Sequence, residues 1–262
     1  AKTGHIAVHE AGAIEASGHK VVELSGTDGK LSAEQVENVF IAWEKDDNRE
    51  HMPQPGAVYV TQPTEYGTLY SLKELTAISE CCRRHGAVLY LDGARLFYGL
   101  AAEGNDVTLA DIARLCDAFY IGGTKNGLLF GEAMVIVNDA LKPGFRRAMK
   151  RNGAMLAKGR LLGVQFDALM ENGVYEKVGA YENEMADRLR EGIRAAGYPF
   201  YCETTTNQLF PVLPNAVIDR LEKDFGFYRQ NRVDEGHQAI RLVTSWNTQK
   251  EEADALIRAL KE

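Results

Sequence analysis

Apolar residues in the first two thirds of the chain follow two rhythms: short unbroken runs, and longer stretches that repeat every three to four residues. The short runs are Ala57 to Thr61, Ala87 to Asp92, Ala118 to Gly122 and Ala133 to Val137. Each is dense in Val, Ile, Leu, Tyr or Phe and ends near polar or glycine-rich residues, as buried parallel strands do. The longer stretches carry helix signals. Ser32 heads a capping pattern with Gln35, after which Val36, Val39, Phe40 and Trp43 share one helical face. Ser71 pairs with Glu74 in the same way; the helix it opens is expected to bury Leu72, Leu75, Ile78 and Cys82 and to stop near Gly86. Leu109 to Leu115 predicts a further helix. Strands alternating with helices predict an α/β fold, a mostly parallel sheet with flanking helices.

After Pro143 the pattern changes. Helices are expected around Arg160 to Glu171 and Tyr175 to Ala196, then isolated strands at Gln208 to Leu213 and Ala239 to Thr244, and a final amphipathic helix from Lys250 to Leu260. This predicts a smaller C-terminal α+β domain at 151–262, after a large domain at 1–150.

Composition narrows the class. A chain of 262 residues can bury a large core. Its four cysteines are the adjacent pair Cys81 and Cys82, then Cys116 and Cys202. None forms a C-x-x-C pair and no Cys/His cluster has zinc spacing, so reduced thiols and no metal site are expected. The net charge of -7 gives no electrostatic reason to approach nucleic acid. The basic run from Arg146 to Arg151 reads as a solvated or subunit-facing surface. No apolar run is long enough to span a bilayer, and AKTGHIAVHEAG lacks the regions of a signal peptide, so a cytoplasmic protein without membrane partners is expected.

Ligands of open α/β sheets collect at the carboxyl ends of strands. Two runs end there in reactive groups: AVLYLDGAR delivers Asp92 and Arg95, and AFYIGGTKNG delivers Thr124 and Lys125 in a glycine-rich loop. A buried aspartate is expensive unless paired, and a protonated pyridine nitrogen would be a suitable partner. A lysine in a water-poor pocket has its pKa lowered, which frees its amine to attack an aldehyde. Each taken alone has a plainer reading, an Asp-Gly turn and an exposed loop lysine. Together they fall on one strand-helix-strand unit, and the combination points to pyridoxal phosphate.

The segments RRHGAVLYLDGARLFYGL, GGTKNG, TNQLFP and RLVTSW resemble the threonine aldolase and β-eliminating lyase group of fold-type-I pyridoxal-phosphate enzymes. The resemblance implies that Asp92 pairs with the pyridine nitrogen, that Lys125 carries the cofactor covalently, that Arg95 helps to hold the cofactor or the substrate carboxylate, and that Thr124 helps to hold the cofactor. It also implies that His5 stacks on the cofactor ring, a residue that otherwise reads as a surface histidine, and that Arg241 grips the substrate carboxylate, where an exposed ion pair is the alternative. One departure concerns the loop VTQPTEYG. Many threonine aldolases place a histidine there, and this sequence has Glu65. The implied activity is cleavage of a β-hydroxy amino acid to glycine and an aldehyde. Other pyridoxal-phosphate reactions (β-elimination, transamination) and a catalytically silent relative are the alternatives. The resemblance also implies a homodimer or homotetramer, and an upstream segment supplying a phosphate-binding Gly-Thr loop that is expected to precede the sequence as given.

Overall fold

The computed structural model describes all 262 residues. Two short helices, α1 (His5–Val8) and α2 (Ala13–Ala16), open the chain, followed by α3 (Ala33–Lys45), β1 (Ala57–Thr61), α4 (Leu72–Arg84), β2 (Val88–Asp92), α5 (Leu96–Leu100), α6 (Leu109–Leu115), β3 (Ala118–Gly122) and β4 (Glu132–Ile136). The remainder runs α7 (Phe145–Arg151), α8 (Arg160–Met170), α9 (Val174–Ala195), β5 (Gln208–Leu209), β6 (Val212–Pro214), α10 (Asn215–Leu221), β7 (Tyr228–Arg232), β8 (His237–Val243) and α11 (Lys250–Leu260).

The helix starts follow their caps. Ser32 with Gln35, Ser71 with Glu74 and Thr108 with Asp111 each form a reciprocal capping box that satisfies orphan amides at the helix start. Gly86, at φ 63°, lies just beyond the end of α4 in the left-handed region that residues with a Cβ avoid.

The first sheet has the order β1-β2-β3-β4, its first three strands parallel and β4 antiparallel. Tyr59 pairs with Tyr90 and Thr61 with Asp92 across β1 and β2. Alternate residues face opposite ways along a strand. Val58, Val60, Leu89, Leu91, Phe119 and Ile121 thus join Leu75, Ile78, Ile112 and Leu115 of α4 and α6 in a core of 22 buried residues. Tyr59, Tyr90, Asp92 and Tyr120 point the other way.

A second core of 12 buried residues, from Ala186 to Leu260, lies under the sheet β5-β8-β6, on which β7 pairs with β8. The single strand expected over Gln208 to Leu213 is two, because Pro211 has no amide to give the ladder. The strand β7 was not expected: its sequence YRQNR is polar and largely exposed at a sheet edge, with no apolar alternation to read. Met170 and Tyr175 still pack on the first core, so the passage from one core to the other runs along α9. No helix is long and apolar enough to cross a membrane.

Candidate active site

Asp92 ends β2 and is 4% exposed. Its Oδ1 accepts the Ala94 amide at 2.9 Å and its Oδ2 accepts the Tyr59 hydroxyl at 2.7 Å, while the carboxylate also acts through space on the Tyr120 phenol. Both donors are neutral. The carboxylate holds the Tyr59 and Tyr120 phenols far above their ordinary pKa, in second place after burial. A buried carboxylate whose donors are all uncharged still lacks a cation of its own.

Lys125 follows β3, the next strand, in a turn of 3-10 helix at Thr124–Asn126. Backbone meets backbone between the two strand ends, since Gly122 donates its amide to the Gly93 carbonyl at 2.9 Å. A Cβ on Gly93 would collide with the Tyr120 carbonyl, and one on Gly122 with the Ala94 carbonyl, so these two glycines let the aspartate turn and the lysine loop touch. The loop is fastened at several points. The Tyr98 hydroxyl donates to the Lys125 carbonyl, Asn126 is buried and donates to the Gly122 carbonyl, and Glu132 accepts the Gly123 amide at 2.6 Å. The Lys125 side chain is open to solvent by area, yet the surrounding protein lowers its pKa, burial first and then the nearby Arg95; Glu65, Asp92 and Glu132 oppose the shift. A residue in a concavity can be both accessible and poorly solvated.

Arg95, at the start of α5, stands 4.0 Å from Glu65, and both side chains are largely buried. Arg241, on β8, donates to Gln208 Oε1 at 2.7 Å and leaves its own buried Nε without a partner. Burial and then Arg95 lower the Arg241 pKa, while Glu65 raises it. Arg95, Arg241 and Lys125 thus share one neighbourhood with Glu65 and the strand-end Asp92. The orphaned buried Nε of Arg241 suits an incoming anion.

The structure therefore brings Asp92, Arg95, Lys125 and Arg241 together, with Thr124 adjoining in the loop. His5 is elsewhere in its contacts: on the exposed α1 it pairs through Nδ1 with Glu10 and lies 5.1 Å from the His9 ring. Tyr59, Tyr98, Tyr120, Glu132 and Gln208 had not been singled out. A signal for two of them was present, since AVYVT, VLYLD and AFYIG each carry tyrosine at the middle position, on the Asp92 face. A cleft of about 1220 Å³ lies between the first two dozen residues and this face, lined by Tyr59, Thr61, Glu65, Tyr90 and Tyr120 among others. A smaller polar cleft of about 540 Å³, bordered by Arg190 and Arg194, contains none of the clustered groups.

The arrangement fits pyridoxal phosphate, which brings a basic ring nitrogen to an uncompensated carboxylate, an aldehyde to a lysine of lowered pKa, and negative charge to the neighbourhood of Arg95 and Arg241.

Comparison with known proteins agrees with that chemistry. The sequence model of the beta-eliminating lyase family matches residues 1–216. The chain is 30% identical over 253 residues to a low-specificity L-threonine aldolase of a Pseudomonas strain, covering 95% of this chain and 71% of that protein. It is likewise 30% identical to the corresponding protein of Pseudomonas aeruginosa, covering 99% of this chain and 74% of that one. Its fold superposes on a solved threonine aldolase of Leishmania major with a TM-score of 0.95 and 46% identity, covering 99% of this chain and 75% of that chain.

Proposed function

The chain belongs to the beta-eliminating lyase family, and from that membership we propose a pyridoxal-phosphate-dependent lyase that cleaves a β-hydroxy amino acid of the threonine type to glycine and an aldehyde. The observation that carries the residue assignment is Asp92, a buried carboxylate held by neutral donors only, set across adjacent strand ends from the depressed amine of Lys125.

In this reading Asp92 holds a proton at the cofactor's ring nitrogen, because a charged partner is what its site lacks. Lys125 carries the covalent link; its lowered pKa leaves more of the amine unprotonated at neutral pH. Arg95 and Thr124 bind cofactor oxygens. His5 as the cover of the ring rests on resemblance alone, since its present neighbours are Glu10 and His9. When bound, the cofactor supplies an electron sink beside the substrate's amino group.

Arg241 takes the substrate carboxylate in a two-pronged bond, for which it has a free Nε, and Arg95 adds a second charge. Breaking the Cα–Cβ bond requires the β-hydroxyl to lose its proton. Glu65 lines the cleft beside Arg95, and we assign it that proton.

Product analysis with L-threonine tests the reaction. Glycine with acetaldehyde supports cleavage, whereas 2-oxobutyrate would mean loss of water and overturn it.

We also propose a cytoplasmic homo-oligomer. Leu129 and Phe130 of the lysine loop's continuation and Leu161 and Val164 of α8 are exposed apolar side chains next to the site, and Gln165 ties α8 to the Leu129 amide. Subunit contact would cover them. All four cysteines are buried and unpaired, which suits a reducing compartment. Light scattering that returned a monomer at every concentration would overturn the assembly.

A further inference from the structure

On the far side of the first sheet from Asp92, α4 is covered by α3, and a set of side chains unused by the chemistry above meets there. Cys81, in the last turn of α4, and His85, the residue that caps its C-terminus, stand four positions apart on one side of the helix end. Glu37 reaches them from α3. The ligand atoms of these three residues all lie within 4.8 Å of one another. We propose that Glu37, Cys81 and His85 form a zinc site that staples α3 to α4.

The donor set is one sulfur, one imidazole nitrogen and one carboxylate oxygen, each a regular zinc ligand. Metal–ligand bonds of about 2.0–2.3 Å in a tetrahedron put ligand atoms roughly 3.3–3.7 Å apart. Glu37 Oε1 and His85 Nε2 are now 2.8 Å apart, as a hydrogen-bonded pair, and the trio spans no more than 4.8 Å. Adjustments of about an ångström therefore admit the ion.

The outer contacts are those of a built site. His85 Nδ1 faces Glu44 Oε1 at 2.8 Å, a carboxylate on the non-ligating nitrogen that fixes the ring and raises its basicity. The ring is stacked on Phe40 with centroids 4.5 Å apart and planes 6° from parallel. Arg84 engages Glu37 through Oε2, which leaves Oε1 for the metal. The fourth position falls to water, because Glu37 remains partly exposed.

Without metal the same atoms are held by protons. His85 bridges two carboxylates and its pKa is raised by them; the Cys81 thiol is pushed up to about 11 by burial and Glu37. Arg84 is the other charged group facing the cluster. Zinc displaces the Nε2 proton of His85 and the Sγ proton of Cys81, so two protons leave as one divalent ion arrives, and affinity rises with pH.

The test loads the cofactor-bound chain with zinc, dialyses it against metal-free buffer and measures retained metal by elemental analysis. One equivalent is expected. Cys81→Ser should lose it, Cys82→Ser should keep it because that thiol is not among the three ligand atoms that converge, and Glu44→Gln should weaken binding by about 10–100-fold. Circular dichroism shows that each variant is folded. Cobalt substituted for zinc should show the visible bands of a tetrahedral site, absent in Cys81→Ser. No retained metal in the unmutated protein, or retention that survives Cys81→Ser, overturns the site and leaves an ion-pair clamp.

Discussion

The two faces of strands β1 to β3 are built from alternate residues of the same fifteen-odd positions, and they obey opposite rules. One face carries Val58, Val60, Leu89, Leu91, Phe119 and Ile121, all buried and packed on α4 and α6. The other carries Tyr59, Tyr90 and Tyr120 in a ladder, with ring centroids 5.0 and 6.4 Å apart, leading to Asp92. The first face gains by excluding water from hydrocarbon. The second places hydroxyls and a carboxylate where hydrocarbon would have been more stable, which is the usual cost of a functional surface. Stability and chemistry are thus separated by a single step along the strand, and substitutions one residue apart should have different consequences.

The largest effect is expected at the strand end of the polar face. Lys125→Ala should remove turnover below detection, and borohydride reduction followed by peptide mapping should find no pyridoxyl adduct, where the unmutated chain gives one on Lys125. An adduct on another lysine would reassign the site. Folding should be nearly unaffected, because the Lys125 side chain makes no hydrogen bond and only its carbonyl is held, by Tyr98.

On the packed face the balance reverses. Leu91 is fully buried, and Leu91→Ala should cost about 2–5 kcal/mol of stability through lost transfer energy and the cavity left behind. The surviving folded fraction should keep its cofactor absorbance. Urea unfolding checks the first statement and a spectrum of the loaded protein the second. A loss under about 1 kcal/mol would mean that this face repacks and is less specific than its burial indicates.

The packed face was legible from sequence because burial writes a periodic signal. Val36 and Phe40 are buried as the spacing predicts, and Leu75, Ile78 and Cys82 likewise, while Leu72 stays half-buried at the helix start. Asp92 and Lys125 were legible because a charged group after an apolar run is conspicuous. Tyr59 and Tyr120 were legible only as a shared middle position of the strands and not as partners of Asp92, since a tyrosine in a strand reads as core and the carboxylate lies on another strand. Glu37, Cys81 and His85 escaped for the same reason: two lie one turn apart on a helix, but the third comes from a different helix, so no motif spacing records them.

Glu182 sharpens the contrast by breaking it. It sits on α9 among packing elements, is 0% exposed, and neither carboxyl oxygen has a hydrogen-bond partner. Burial raises its pKa to about 9, and the nearby Trp246 amide eases the cost only in part. Between the unfolded value near 4.5 and this one, the folded chain keeps a proton that the unfolded chain has released. Its stability therefore falls as pH rises, by about 1.4 kcal/mol per pH unit from this group alone. Glu182→Gln removes the titration at nearly constant shape. It should stabilise the protein by about 3 kcal/mol near neutral pH, and have little effect at or below pH 4.5. Parallel pH dependence of unfolding in the two proteins would show that the carboxyl is better solvated than its burial implies.

The smallest effect is expected from Tyr59→Phe. The substitution keeps the ring and its 5.0 Å stack on Tyr90, and deletes only the hydroxyl that donates to Asp92 at 2.7 Å. Stability should change by about 1 kcal/mol or less, since one neutral donor to a carboxylate is lost while the Ala94 amide remains. The electrostatic consequence is more specific. The Tyr59 hydroxyl spreads part of the negative charge of Asp92, and without it more of that charge acts on the surroundings. Asp92 already raises the Lys125 pKa against burial and Arg95, so losing the hydroxyl should move that pKa upward and leave less free amine near neutrality. The acid limb of the pH profile of kcat/KM should shift to higher pH, with a fall of about 5–10-fold near neutrality, equivalent to roughly 1 kcal/mol. A shifted limb with an unchanged melting temperature identifies Tyr59 as a residue that tunes the site through Asp92. An unshifted limb with a lowered melting temperature would return it to the same role as the leucines on the other face.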